Sequence, residues 1–328
     1  MELRNFGSTD LTMSVLGFGC GTVGGLMVRA EHKEMLKSIE YAIDAGINYF
    51  DSARMYGDGL SEIHVGAILR ELGVSDALVG TKVRLSGSEF NNIETTVSKQ
   101  IENSLQRLGS ETVDIVYTHN TVGKERNIDD GQVSVEDLEP VVVAFEKAVK
   151  SGKIRYWGFN GLGETDAIKS AVNLYSPSGI HTCYNMLNPT SGYSVNNTFP
   201  YQNYHELITE CTKKGIGTVG IRILAGGALS GSTDRHPLAL QDVAPIATGD
   251  TYQEDVDRTA AYKFLLSEGF ADNLVEASIR FAISNTNLST ALIGLSNFDQ
   301  FQQAVDFANK GPLPAEALDK IIKLCSAV

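Results

Sequence analysis

The sequence predicts an α/β fold, a (β/α)8 barrel of the TIM type, and three observations predict it. Eight short apolar runs rich in Val, Ile and Tyr recur along 328 residues. Runs so short and continuous suit strands buried on both faces of a parallel sheet. The segments between them are longer and amphipathic, which is the alternation of a βα repeat. The length is that of a barrel and nothing along the chain reads as a linker, low-complexity tract or second unit, so residues 1–328 read as one domain. A doubly wound open sheet is the alternative, because periodicity does not show closure. No G-x-G-x-x-G follows the first run, and "GFGCGTVGG" (17–25) is glycine-rich without the helix that should open behind it.

In order, the strand-like runs are "MSVLGFG" (13–19), "INYFD" (47–51), "ALVGTK" (77–82), "VDIVYTH" (113–119), "IRYWGFN" (154–160), "GIHTCYN" (179–185), "IGTVGI" (216–221) and "TALIG" (290–294). Between them, "AEHKEMLKSIEYAIDAG" (30–46) and "NIETTVSKQIENSLQRLGS" (92–110) carry apolar residues at helical spacing and stop at a glycine. "SVEDLEPVVVAFEKAVKSGK" (134–153) opens with Ser134 and Asp137 at the spacing of a capping box. Residues 164–175, 203–215 and 297–311 read as further helices. The longest irregular stretch, 231–249, is long enough to be expected to shape a site, as is the loop 120–131.

A net charge of −13 and a pI near 4.9 argue against nucleic acid or an anionic membrane as partner, since both require a basic footprint. Cys20, Cys183, Cys211 and Cys325 show no metal or redox spacing and read as reduced thiols. No run is long enough to span a bilayer, and the first residues lack the apolar core of a signal peptide. These features together lead us to expect a cytoplasmic location.

In a barrel, chemistry gathers at the C-terminal ends of the strands. Read there, the second run ends at Asp51 with Tyr56 just beyond it, the third at Lys82, the fourth at His119 and the fifth at Asn160. Singly, each has a plain structural reading: a strand-end cap, a loop aromatic, a solvated charge, a satisfied core histidine. Together they make a proton-transfer group. A phenol is a poor acid at neutral pH, and a neighbouring ammonium stabilises its phenolate. A carboxylate keeps that ammonium charged, and a histidine orients a substrate oxygen. No side chain supplies hydride, so this reading implies a nicotinamide cofactor.

At this point the chain resembles the aldo-keto reductase superfamily over essentially its whole length. The likeness lies in "RNFGSTDLTMSVLGFGCGTVGG" (4–25), "GINYFDSARMYGDGLSEIHVGAIL" (46–69), "TKV", "YTHN", "WGFN", "LAGGALSG" (224–231) and "ALIGLSNFDQFQQAV" (291–305). The resemblance implies a barrel with an N-terminal β-hairpin and an extended NAD(P)(H) across its mouth. It implies interconversion of a carbonyl (aldehyde, ketone or sugar lactol) and an alcohol. Tyr56 would be the acid/base, with Lys82, Asp51 and His119 completing a tetrad.

For the cofactor, the resemblance implies Thr22, Val23, Asn160, His181, Arg222, Leu224, Gly226, Gly294, Ser296, Gln300 and Gln303. Phe159 stands where the family's clamp on the carboxamide has a serine, His181 where it has a glutamine, and Ile221 where it has a stacking tyrosine. Members using NADP carry Lys or Arg after the eighth strand, whereas residues 295–309 contain none. That favours NAD(H) over NADP(H). Two other roles stay open on the sequence: a cofactor-binding regulatory subunit, and a redox-neutral lyase or epimerase that retains its nicotinamide.

Overall fold

The structure, a computed structural model, describes residues 1–196 and 198–326. Twelve strands occur among them: β1 (Leu3–Asn5), β2 (Thr12–Ser14), β3 (Leu16–Gly19), β4 (Tyr49–Asp51), β5 (Leu78–Val83), β6 (Val113–Thr118), β7 (Thr121–Gly123), β8 (Gln132–Ser134), β9 (Ile154–Gly161), β10 (Gly179–Cys183), β11 (Gly217–Ile221) and β12 (Thr290–Ile293). Eight of them, β3, β4, β5, β6, β9, β10, β11 and β12, pair in parallel in that circular order and close a barrel. The expected closed barrel is therefore observed, and the open sheet is excluded.

Around it lie α1 (Leu26–Arg29), α2 (His32–Asp44), α3 (Leu60–Glu71), α4 (Ile93–Leu108), α5 (Leu138–Lys150), α6 (Thr165–Tyr175), α7 (Leu207–Lys213), α8 (Tyr252–Arg258), α9 (Phe264–Ser267), α10 (Leu274–Ser284), α11 (Phe298–Asn309) and α12 (Ala315–Ser326). Their apolar faces meet the outer faces of the strands; Val65, Ile68, Ile279, Phe301 and Val305, for example, share one buried cluster with Phe18 and Phe50. No described helix is long and apolar enough to cross a membrane.

Three readings of the sequence need correction. The run 13–19 is two strands. Thr12–Ser14 pairs antiparallel with β1, and only Leu16–Gly19 joins the barrel. The hairpin folds across the barrel's N-terminal end and buries Phe6, Leu11 and Met13 against Tyr49, Ile115, Tyr117 and Val219. Phe6 fits because β10 and β11 begin with Gly179 and Gly217, where a Cβ would lie 2.2 and 2.4 Å from its ring. The helix read at 203–215 is shorter, because His205 and Glu206 both have positive φ and α7 starts only at Leu207. Helices α3, α8, α10 and α12 were not read at all. In α3 the polar Ser61 and Glu62 are buried while Leu60 and Ile63 are exposed, which blurs the stripe. The small α9 and the β7–β8 pair escaped for want of length.

Ser134 and Asp137 do exchange bonds as their spacing predicts, Ser134 N to Asp137 Oδ2 at 2.9 Å and Asp137 N to Ser134 Oγ at 3.2 Å. The helix itself begins after this turn, at Leu138.

Candidate active site

The strand tips converge on a cavity of about 610 Å³ at the C-terminal mouth of the barrel. Its inner end is lined by Asp51, Tyr56, Lys82 and His119, so the four positions read from separate strands lie in one site. Asp51 and Lys82 are placed by β4 and β5, which run side by side in the barrel. Lys82 is only 2 % exposed. Its ammonium is paired with Asp51 Oδ2, donates to the Ser52 carbonyl at 2.8 Å, and lies 4.8 Å from the centre of the Tyr56 ring. Tyr56 meets His119 edge to face, with ring centres 5.5 Å apart.

Beneath this group lies a layer the sequence reading did not find. Tyr49 Oη donates to Asp51 Oδ1 at 3.0 Å, and His181 Nε2 lies 3.4 Å from the same oxygen. His181 packs on Tyr117, ring centres 4.1 Å apart. Strand alternation was the available signal: Tyr49 and Asp51 are two residues apart in β4 and must face the same way.

The charges follow from this burial. Desolvation opposes the Lys82 ammonium, but Asp51 and then Tyr56 outweigh it and its pKa is raised. Burial pushes the Tyr56 phenol up, with Lys82 pulling it back and Asp51 adding to the rise. The sequence argument had the ammonium prevailing; the dry site prevails instead, and the phenol holds its proton. Burial, then Lys82, pushes His119 down to about 3, and the same two causes, in that order, hold His181 well below its ordinary range. Both imidazoles are neutral.

From this inner end a groove runs outward over β11 and β12. Val23, Asn160, His181, Arg222, Leu224, Gly226, Gly294, Ser296, Gln300 and Gln303 all line it, while Thr22 does not. Phe159 is not in the groove; it packs outward against Trp157 and Tyr175, with ring centres 5.5 and 6.1 Å away. Alternation turns Asn160 inward instead, held by Thr118 Oγ1 at its amide. Phe159 offers no polar atom to the groove. Ile221 lines the groove beside Arg222, whose backbone has a φ of 58° and whose carbonyl is held by Asn185 Nδ2 at 2.9 Å.

The loop 231–249 crosses the groove as a strap and contributes Asp234, Arg235, His236, Ala239 and Ile246 to it. It is tied to the first barrel loop by Leu240 N to Val23 O at 3.0 Å and by Arg29 Nε to Leu238 O at 2.7 Å. His236 sits in this strap and lines the groove. The loop 120–131 lies outside the groove's lining. Asn120 instead staples it, bonding Leu85 O and Gly131 O at 2.9 and 2.7 Å.

The inner end of the groove leaves polar atoms for a bound molecule. Two buried polar atoms among the residues lining its inner end, His119 Nδ1 and His181 Nε2, make no hydrogen bond to the described residues. Buried polar atoms are normally satisfied, so they are available to a bound molecule. Asn160, His181, Arg222 and Arg235 are polar side chains that line the groove. No cluster that could hold a metal ion occurs among the described residues.

Known proteins agree with this architecture. A sequence similar over 93 % of the chain, and 87 % of its own length, is the L-galactose dehydrogenase of Arabidopsis thaliana, at 26 % identity. A probable voltage-gated potassium channel subunit beta of the same plant is 25 % identical over 98 % of the chain and 95 % of its own. Among solved structures, the aldo-keto reductase AKR11C1 of Bacillus halodurans in its holo form superposes with a TM-score of 0.73 at 24 % identity, covering 100 % of this chain and 97 % of that one. The thermostable aldo-keto reductase Tm1743, in complex with the inhibitor epalrestat, gives 0.70 at 17 % identity, covering 99 % and 100 %. The profile of the Aldo/keto reductase family, a family of oxidoreductases that generally use a nicotinamide cofactor, matches residues 15–325, and the chain belongs to that family.

Proposed function

We propose that the protein interconverts a small carbonyl compound and its alcohol, with Tyr56 as the acid/base. The observation that carries this is the buried Lys82, held by Asp51 on one side and facing the Tyr56 ring on the other. Bound NAD(H) would supply or accept the hydride. The chain's own residues move the proton. Tyr56, protonated in a dry site, gives its proton to the carbonyl oxygen as negative charge develops there, and Lys82 stabilises the phenolate that remains. His119, neutral, holds the substrate oxygen by a hydrogen bond. In the reverse direction the phenolate takes the alcohol proton.

Arg222, Leu224, Gly226 and Gly294 line the path for the pyrophosphate, with Asn160 and His181 at the carboxamide. NAD(H) is favoured over NADP(H) because the last loop carries Asp299 and no basic residue from 295 to 309. The similarity to an L-galactose dehydrogenase supports a sugar lactol or related polyol as substrate. Four free, buried cysteines accord with a reducing cytoplasm, and we take residues 1–328 as one domain. Similarity to a probable potassium channel beta subunit supports a second reading, a cofactor-dependent partner protein.

Tyr56→Phe tests the main reading. Turnover of aldoses with NAD, or of an aromatic aldehyde with NADH, is expected to fall about 10²–10⁴-fold, with dinucleotide affinity retained. Full turnover in that variant would sink the mechanism.

A further inference from the structure

Asp51 has neighbours besides Lys82. Its Oδ1 accepts from the Tyr49 hydroxyl at 3.0 Å, and His181 Nε2 stands 3.4 Å from the same oxygen. The imidazole is braced by Tyr117. Gly158 on β9 has no side chain, and a Cβ there would lie 2.6 Å from the Tyr117 ring, so Tyr117 occupies the space over that residue. His181 packs on Tyr117 with ring centres 4.1 Å apart. His181 and Asp51 are both buried, and His181 Nε2 makes no hydrogen bond at this separation. Burial, then Lys82, holds the imidazole neutral, so one nitrogen carries the proton and the other accepts. The carboxylate oxygen beside Nε2 places the proton there, because a charged acceptor draws a donor about twice as strongly as a neutral carbonyl does. Bonds of this kind are often long in an empty site and tighten once the ligands are bound. That leaves Nδ1 as an acceptor for a ligand in the groove, which His181 also lines.

We propose that His181 is a positioning residue that donates from Nε2 to Asp51 Oδ1 and, through that carboxylate, holds the Lys82 ammonium beside Tyr56. The inference rests on the reading of Tyr56 as the acid/base. With Tyr49 and His181 on Oδ1 and Lys82 on Oδ2, the carboxylate stays ionised although it is buried. Lys82 then keeps its full charge and stabilises the Tyr56 phenolate. Without the His181 donor, Asp51 competes for a Lys82 proton, the ammonium charge falls, and the phenol holds its proton to higher pH. The other groups that face Tyr56 or Asp51 leave this coupling intact. Burial is the largest cause that pushes Cys20, Tyr49 and Tyr117 up, so they keep their protons. His119 is neutral, and Arg222 is a cation. The alkaline decline of kcat in reduction therefore reports Tyr56 and the Asp51–Lys82 pair on which it depends.

The test compares His181→Gln with His181→Asn in the full-length protein. A glutamine amide reaches where Nε2 stands, whereas an asparagine amide reaches only as far as Nδ1. The readouts are the pH profile of kcat for reduction of an aromatic aldehyde with saturating NADH, and calorimetric titration of NADH. His181→Asn is expected to lower kcat about tenfold or more. It should also move the alkaline limb up by about half a pH unit or more, with NADH affinity within about threefold of wild type. His181→Gln should restore most of the rate and the position of the limb. Should His181→Asn not fold, His181→Leu, close in size and without a donor, replaces it with the same expectations. A limb moved equally in the glutamine variant overturns the proposal, because the loss is then one of packing and not of the donor. Weakened NADH binding with kcat unchanged also overturns it, because His181 then serves only the cofactor. A wild type with no alkaline limb overturns the Tyr56 reading itself, whereas a wild-type limb that His181→Asn leaves in place overturns only the role of His181.

Discussion

The Tyr49 phenol donates to one oxygen of Asp51 while the Lys82 ammonium pairs with the other. The carboxylate is thus fixed from two sides in a buried site, and among the described residues Lys82 has no other charged partner of opposite sign. Removing one member of such a pair strands the other. Asp51→Asn is expected to cost about 3–5 kcal/mol, the penalty for an unpaired buried charge, read from the urea midpoint. An asparagine variant as stable as wild type would show that Lys82 finds water or another partner.

Tyr49 reaches Asp51 only because Gly80 stands opposite it on β5. A Cβ at Gly80 would lie 2.3 Å from the Tyr49 hydroxyl. Gly80→Ala should therefore destabilise the fold by about 1–3 kcal/mol, as overpacking does. It should also lower turnover, by pushing Tyr49 off Asp51. Tyr49→Phe removes the hydrogen bond without the clash, so it should lower turnover with a smaller loss of stability. Equal effects of the two changes on stability would argue that the contact, not the clash, dominates.

The two neutral imidazoles make stability depend on pH with a definite sign. His119 is held down to about 3 and His181 well below 6.5 in the folded state. The unfolded chain protonates both near 6.5, so below that pH it binds more protons than the folded chain. Their contribution is full above about pH 6.5 and is lost as the pH falls toward 3. Each histidine contributes at most about 1.4 kcal/mol per pH unit across that window. Urea midpoints from pH 7 to 4 should fall, and fall less steeply in His119→Asn. An identical slope in that variant would mean that His119 titrates normally.

Turnover should carry no inflection near pH 6.5 from these histidines, because both remain neutral there. In the reduction direction it should instead decline at high pH, as the Tyr56 phenol, raised by burial, loses its proton. A pH–rate profile of kcat in wild type and His119→Asn checks this. A limb near 6.5 that vanishes in the variant would overturn the assignment of a neutral His119.

The alternation of apolar runs and amphipathic segments determined a parallel sheet with helices around it, because strands buried on both faces must be continuous and apolar whatever their order in space; its closure was decided by the pairing of β12 with β3. Placing Asp51, Lys82, His119 and Asn160 at strand ends needed only a strand boundary, since a parallel sheet brings all its C-terminal tips together. Boundaries within a run were less legible. Nothing local in "MSVLGFG" says that Thr12–Ser14 pairs with Leu3–Asn5 and Leu16–Gly19 with the barrel, since both halves are equally apolar and only the partner differs. That Phe159 faces outward and Asn160 inward likewise depends on the register of β9.

Tertiary structure alone decided the rest. Whether Lys82 lowers the Tyr56 pKa depends on how dry the site is, and burial is a sum over neighbours that no short motif encodes. The strap 231–249 had only its length to announce it, and its bonds to Val23 and Arg29 join segments more than two hundred residues apart. Glu34 reads in the sequence as one more solvated charge on an amphipathic helix. It caps α11 only because packing of α2 on α11 sets its carboxylate on the Phe298 amide. Sequence dictates what each element is, because propensity and period are local. Which charge meets which amide is set by contacts between distant elements, and those exist only once the barrel has closed.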